Sequence, residues 1–187
     1  MCGRFALYPD SDFYTRFNLP EGKELVSYPN ASPGQNLPLV VASSSGNRLI
    51  TKLWGYHPVW SSSSRPLINA RSETVADKPA FKKAFATSRC LVPASGYYEW
   101  QKTATSSNPF YFKDPDSKYI GLAGLYFDDS FVILTTAATP DLAPIHDRMP
   151  LILPPASESL WLSSDTSHSD LLPLLSPQAS ALSFQPV

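Results

Sequence analysis

The amino-acid sequence predicts one α+β domain over residues 1–187, with a mainly antiparallel, barrel-like β-sheet flanked by short helices. Three observations lead there. Runs rich in valine, tyrosine, phenylalanine and threonine alternate with polar turns, the pattern of half-buried strands. Helical and strand-like segments mix without a strand–helix–strand rhythm, which argues against a parallel sheet. The length, 187 residues with 43% hydrophobic side chains, suits one sizeable core and is not the composition of a disordered chain.

The elements follow in order. The chain opens extended over residues 2–7. Residues 10–17 offer a polar cap and then Phe13, Tyr14 and Phe17, a short helical face. Residues 37–42 are an apolar strand-like run, residues 43–47 a turn containing Gly46, and residues 48–54 an alternating return, so a hairpin is expected. Residues 61–65 are a polar loop. Residues 74–86 read as a helix with Val75, Phe81 and Phe85 on or near one face. Strands are expected over residues 89–93, 96–102, 109–113, 119–127 and 131–136, with polar turns at 103–108, 114–118 and 128–130. A further apolar run covers 151–153. Residues 155–162 and 169–175 read as short helices, and the tail from 177 to 187 ends on an apolar pair suited to a sheet edge.

Composition narrows the function classes. Fifteen basic and sixteen acidic residues give a formal net charge of −1. Any nucleic-acid contact must therefore rest on a few placed arginines and not on a general basic field. No apolar run reaches about 18 residues, so no membrane-spanning helix is expected. Met1-Cys2-Gly3-Arg4 leads straight into Phe5 without the apolar core of a signal peptide. The expectation is a cytoplasmic protein whose two thiols are free. Asn30-Ala31-Ser32 matches the glycosylation triplet, which has meaning only in a secreted chain. No pair of histidines or cysteines has zinc spacing, so no metal and no other cofactor is expected.

Four constellations can carry chemistry. Removal of Met1 would leave Cys2 with an α-amine and a thiol on adjacent carbons. The amine, with a pKa near 7.7–8, is partly neutral at physiological pH and can form an imine with an aldehyde. The thiol can then close a five-membered thiazolidine, or alone attack an acyl group as a thiolate. The plain alternative is a chance cysteine at a frayed terminus. Cys90, in the apolar run Arg89-Cys90-Leu91-Val92-Pro93, reads as an inert core thiol. Glu99 sits in Gly96-Tyr97-Tyr98-Glu99-Trp100, where alternation puts it on the face of Tyr97, opposite Tyr98 and Trp100. It is either a general acid or base beside aromatic rings or an outward-facing strand glutamate.

His146 lies in a proline-bracketed loop, Pro144-Ile145-His146-Asp147-Arg148-Met149-Pro150, a setting where frames often carry function. The other two histidines differ: His168 lies among serines and aspartates and reads as solvated, and His57 reads as a packing residue. In Asn69-Ala70-Arg71-Ser72-Glu73-Thr74, Asn69 can give and accept hydrogen bonds and Arg71 can fork onto a phosphate. The same stretch can also serve merely to cap the following helix through Ser72, Glu73 or Thr74.

Taken in order, these segments are specific. Met1-Cys2-Gly3-Arg4-Phe5, Tyr28-Pro29-Asn30-Ala31-Ser32-Pro33-Gly34-Gln35, Trp54-Gly55, the run from Asn69 to Thr74, the run from Arg89 to Trp100, Gly121-Leu122-Ala123-Gly124-Leu125-Tyr126 and the run from His146 to Pro150 together resemble the SOS response-associated peptidase (SRAP) family. The resemblance runs from Cys2 to about residue 162. It implies a monomer with a barrel-like sheet and a groove for single-stranded DNA, associated with the nucleoid when bound. It implies covalent capture of abasic sites as a thiazolidine on the N-terminal cysteine, shielding the lesion. The older family name reflects an autopeptidase activity that would free Cys2. On this resemblance Cys2 is the nucleophile, Asn69 positions Cys2 and the sugar, Glu99 moves protons during imine formation and reversal, and His146 assists sugar-ring opening. Arg4, Arg71 and Arg148 would hold phosphates, with Pro33, Trp54 and Trp100 completing the DNA contacts. One departure from the family pattern is visible: Pro29 separates Tyr28 from Asn30, and Ser32 precedes Pro33.

Two other readings compete. One is a cysteine peptidase or hydrolase using Cys2 with His146 as base. The other is a non-catalytic single-strand binder in which Trp54, Trp60 and Trp100 stack on bases.

Overall fold

The computed structural model describes residues 2–22, 25–177 and 182–187. Met1, whose removal the cysteine chemistry requires, and residues 178–181 of the tail lie outside the described residues. Strand β1 (Arg4–Leu7) is followed by helix α1 (Asp12–Arg16), strand β2 (Tyr28–Ala31) and the hairpin of β3 (Asn36–Ser43) and β4 (Gly46–Trp54). Strand β5 (Asn69–Arg71) leads through a 3-10 turn, Ser72–Thr74, to helix α2 (Lys82–Thr87). Five strands come next: β6 (Arg89–Ala94), β7 (Gly96–Lys102), β8 (Ser107–Lys113), β9 (Ile120–Tyr126) and β10 (Ser130–Ala137). The remainder holds β11 (Arg148–Pro150), β12 (Ile152–Leu153), α3 (Pro155–Leu162), α4 (His168–Leu171), a 3-10 turn Leu172–Leu175 and β13 (Ser183–Pro186).

Two sheets result. One is five-stranded in the order β13-β8-β7-β1-β2. The other runs β11-β10-β4-β3-β6-β9-β12, with β5 beside β10 and an additional β9–β10 pairing. That pairing returns the sheet to β10, so β10, β4, β3, β6 and β9 form a ring of hydrogen-bonded neighbours. Only the pairings of β10 with β4 and β5 are parallel; the rest are antiparallel. Burial explains why each strand sits where it does. Strand β6 is buried at every position and β10 at all but its ends, as central strands covered on both faces must be. Strand β4 alternates over most of its length, with one face in solvent. Inside, Phe5 and Phe131 pack against Trp54 with ring centroids 5.4 and 6.0 Å away. Gly124 is needed where β9 crosses the core: a Cβ there would lie 2.9 Å from the Cys90 sulfur.

The strands and short helices expected from the sequence are present with shifts of a few residues, and β13 does pair at a sheet edge, beside β8. The continuous helix over residues 74–86 is not. Asp77 and Lys78 donate to the Thr74 carbonyl, but Pro79 has no N–H with which to continue, and the helix restarts only at Lys82. Val75, Phe81 and Phe85 are nonetheless all buried, so the apolar pattern marked the right face. Strands β2, β5 and β11 are each three or four residues long, too short to show a period.

Two cations, Arg16 half-buried and Arg89 buried, fasten the helices. Arg16 of α1 meets Glu158 of α3 through two bonds of 2.8 Å. Arg89, only 3% exposed, donates to the carbonyls of Phe85 and Ala86 at the end of α2 and of Trp161 and Ser163 at the end of α3. No carboxylate pairs with it among the described residues. The C-terminal end of a helix carries roughly half a negative charge, so the two ends together approximate a counter-ion.

Candidate active site at Cys2

Cys2 is not a frayed end: its exposure is 0%. It is held beside residues that lie far along the chain. Asn69, on β5, donates from Nδ2 to the Cys2 carbonyl at 3.1 Å and toward the Ile133 carbonyl of β10 at 3.4 Å. Its Oδ1 is buried and accepts no hydrogen bond among the described residues. Strand β5 can present Asn69 there because it runs parallel to β10, with Asn69 opposite Ile133. Strand β7 contributes Glu99. Its neighbours Tyr98 and Trp100 are half-buried while Tyr97 and Glu99 are buried, so Glu99 points inward, as alternation required, and the outward alternative is excluded. One Glu99 oxygen lies 3.3 Å from the Trp100 amide.

The electrostatics join these groups. Burial, and next the negative charge of Glu99, push the Cys2 thiol up to about 12, while the Arg4 backbone N–H acts in the opposite direction. The Tyr97 phenol, stacked on Phe112 at 4.8 Å, is pushed up by burial and then by Cys2 and Glu99. Tyr97 is a neighbour that the sequence placed on the face of Glu99 without assigning it a part. At physiological pH both the thiol and the phenol keep their protons. Cys90 is equally buried, its thiol raised by burial alone.

His146 lies two residues before β11. Its Nδ1 lies 3.0 Å from the Arg148 amide and 2.9 Å from a carboxylate oxygen of Asp147. The amide needs a lone pair on that nitrogen and the carboxylate needs a proton there, so only one of the two can be a hydrogen bond at a time. His57 is exposed and not packed away, and it helps to line a groove of about 700 Å³ with Tyr56, Lys83, Phe127 and Asp128. That groove shares no residue with the Cys2 constellation. His168 is exposed as expected, with its ring edge-on to Phe85.

The residues expected to touch DNA divide into three groups. Arg71 is exposed, and its side chain makes no hydrogen bond or ion pair among the described residues. Trp100 is half-buried and Trp60 is 71% exposed, so both keep ring surface for stacking. Arg4 donates to Asn30 at 3.0 Å, and Pro33 lies half-buried in the turn after β2, where Gly34 takes a φ of 88°. The unusual Pro29 is absorbed by the sheet edge: Phe5 opposes Ala31 while Leu7 opposes Tyr28, leaving one extra residue on β2 as a bulge.

One expectation needs correction, and one arginine is already engaged. Trp54 cannot stack on a base, because its exposure is 0%, its ring lies between Phe5 and Phe131, and its Nε1 donates to the Ile68 carbonyl at 2.9 Å. Arg148 is not an open phosphate fork, because both of its terminal nitrogens are bound to Glu73, at 2.6 and 2.9 Å. Glu73 itself does not cap a helix. The 3-10 turn that follows Arg71 has no side-chain cap at all. Among the described residues no three His, Cys, Asp or Glu side chains gather as a metal cluster, and no helix is long and apolar enough to cross a membrane.

The family model described as SOS response associated peptidase (SRAP) matches residues 1–187. The chain belongs to the SRAP family. Abasic site processing protein YoqW of Bacillus subtilis is 36% identical over 190 residues, covering 92% of this chain and 84% of that protein. Abasic site processing protein YedK of Escherichia coli is 31% identical over 185 residues, covering 91% of this chain and 83% of its own. Among solved structures, a phage-related protein from Bordetella bronchiseptica matches with a TM-score of 0.82 at 28% identity, over 100% of this chain and 94% of its own. The motif segments read from the sequence thus belong to an SRAP domain, and two residues of that pattern, Asn69 and Glu99, lie beside Cys2.

Proposed function

We propose that this SRAP protein processes abasic sites in single-stranded DNA by capturing them covalently on Cys2 once Met1 has been removed, whether by the domain itself or by another enzyme. The observation that carries the reading is the convergence of Asn69 and Glu99 on Cys2: one is bonded to its carbonyl and the other coupled to its thiol. A chance N-terminal cysteine would have no such partners. The names of the relatives point to the same substrate class.

The chemistry closes on itself. The freed Cys2 amine adds to the aldehyde carbon of the ring-opened sugar, giving a carbinolamine. Glu99 delivers a proton to the departing hydroxyl and takes back the proton lost from nitrogen, and one water leaves as the imine forms. The thiol adds to the imine carbon, its proton passes to the nitrogen, and the thiazolidine ring is complete. Reversal retraces these steps. The unpartnered Oδ1 of Asn69 can accept from the freed amine or from a sugar hydroxyl. A thiol held protonated by burial suits an amine-first route, whereas a thiol hydrolase must begin with a thiolate. His146 assists ring opening, and Arg4, Arg71 and Trp100 engage the strand.

The test is a denaturing gel of the protein with a single strand carrying one abasic site, after intact-mass measurement shows Cys2 as the first residue. A shifted band that Cys2→Ala abolishes is expected. No shifted band from correctly trimmed protein overturns the reading. A pre-opened aldehyde substrate isolates His146: ring-opening help predicts that His146→Ala regains its rate on that substrate, and failure to regain it would move His146 to thiol activation.

A further inference from the structure

We propose that Glu73 gates the Arg148 phosphate site: its carboxylate fills the guanidinium fork of the free protein, and a DNA phosphodiester takes its place on binding. The inference rests on the proposed function, since it takes single-stranded DNA as the ligand.

The geometry is that of a stand-in. Arg148 Nη1 donates to Glu73 Oε1 at 2.6 Å and Nη2 to Oε2 at 2.9 Å, two parallel bonds of the kind the same fork makes to a phosphate. The two partners are unequally exposed, 15% for the Arg148 side chain and 46% for Glu73. The carboxylate is therefore on the solvent side, and an incoming anion meets it before it meets the guanidinium. Arg148 does not depend on Glu73 for its orientation. Its Nη2 also donates to the Thr135 carbonyl at 2.6 Å, with the Thr135 hydroxyl at 3.3 Å, and its backbone is held in β11 opposite Ala137. Nor is Glu73 stranded by giving up the fork, because its side chain is 46% exposed and can turn to water.

The surroundings fit the exchange. Arg71, two residues from Glu73, sits opposite Thr135 on β10, the same residue that braces Arg148. One arginine of the pair is thus open and the other is masked. In a chain of net charge −1, masking one of few site arginines lowers the attraction for any polyanion. It also favours a ligand that offers phosphates to both positions at once. A displaced Glu73 regains a cation, which offsets the counterion released by the arriving phosphate.

The experiment measures binding of a labelled, undamaged oligothymidylate by fluorescence anisotropy across a salt series, for wild type, Glu73→Gln and Glu73→Ala, and for each in an Arg148→Ala background. Removing the competing carboxylate should tighten binding at low salt by about two- to fivefold, the worth of a half-exposed ion pair. The salt slope should steepen by about 0.7, because the Arg148 phosphate contact is no longer offset by a cation taken up at Glu73. Both gains should vanish without Arg148. Unchanged or weaker binding by both Glu73 variants, with melts showing at least one of them folded, overturns the gate and makes Glu73 a brace for Arg148. A gain that persists without Arg148 overturns it as well. A wild-type crosslinking gel run alongside separates the two failures: loss of crosslinking sinks the functional reading, while the anisotropy series alone decides the gate.

Discussion

Replacing Arg89 with methionine removes the cation that joins the ends of α2 and α3 while keeping an unbranched apolar stem. Four hydrogen bonds of 2.5–2.7 Å are lost. The carbonyls of Ala86 and Ser163 take part in part-buried bonds and can turn to water. Those of Phe85 and Trp161 take part in buried bonds and cannot. Two orphaned carbonyls at about 1–3 kcal/mol each put the loss at roughly 2–6 kcal/mol. The guanidinium's own desolvation, which burial makes visible as a lowered pKa, offsets part of this and favours the lower half of the range. For a domain of this size each kcal/mol moves the melting temperature by about 2–4 °C, so a loss of about 3 kcal/mol means a fall of roughly 6–12 °C. Calorimetry and urea melts with an unchanged m-value would read it. Arg89→Lys keeps the charge but not the fork and should fall between wild type and Arg89→Met. A methionine variant melting within about 2 °C of wild type would show that the helix ends are satisfied some other way, and the counter-ion account would be wrong.

Further outcomes can be stated briefly. Cys2→Ala should abolish the stable crosslink, whereas Cys90→Ser should keep it on a protein destabilised by about 1–3 kcal/mol through a buried hydroxyl; loss of the crosslink in folded Cys90→Ser would reverse the roles of the two thiols. Arg71→Ala should weaken single-strand binding and flatten its salt slope by about 0.7, and an unchanged slope in a salt series would remove Arg71 from the interface. Hydrogen bonds from Lys118 and then Tyr119 hold the Asp10 carboxyl down at about 2. A depressed carboxyl stabilises the fold above its ordinary value near 3.9 and loses that contribution as pH falls toward 2, so an NMR titration of Asp10 with a midpoint near 4 would refute the contact.

Much of the fold was legible because its strands are long enough to show their pattern. Strand β7 was bounded at both ends by the sequence, and the inward direction of Glu99 followed from alternation alone. What could not be read was anything set by pairing between distant segments. Asn69 looked like a polar residue before a helix; only the parallel pairing of β5 with β10 makes it reach the Cys2 carbonyl. Trp54 was expected to touch DNA, yet Phe5 and Phe131 close over it from other strands. Arg148 and Glu73 were both seen, 75 residues apart, but no local rule joins them. A helix was expected across Pro79 because the spacing of Val75, Phe81 and Phe85 survives the break.

The complete burial of Cys2 has a consequence in time. A folded chain offers no extended end at Cys2 for another enzyme to grip, since the residue has no exposed surface. Its neighbours come from β5 and β7, and Asn69 of β5 lies 67 residues downstream. At about 5–20 residues per second, the roughly 100 residues out to β7 take on the order of 5–20 s to synthesise. On the proposed function, trimming by another enzyme is expected within that interval, before the sheets close over Cys2.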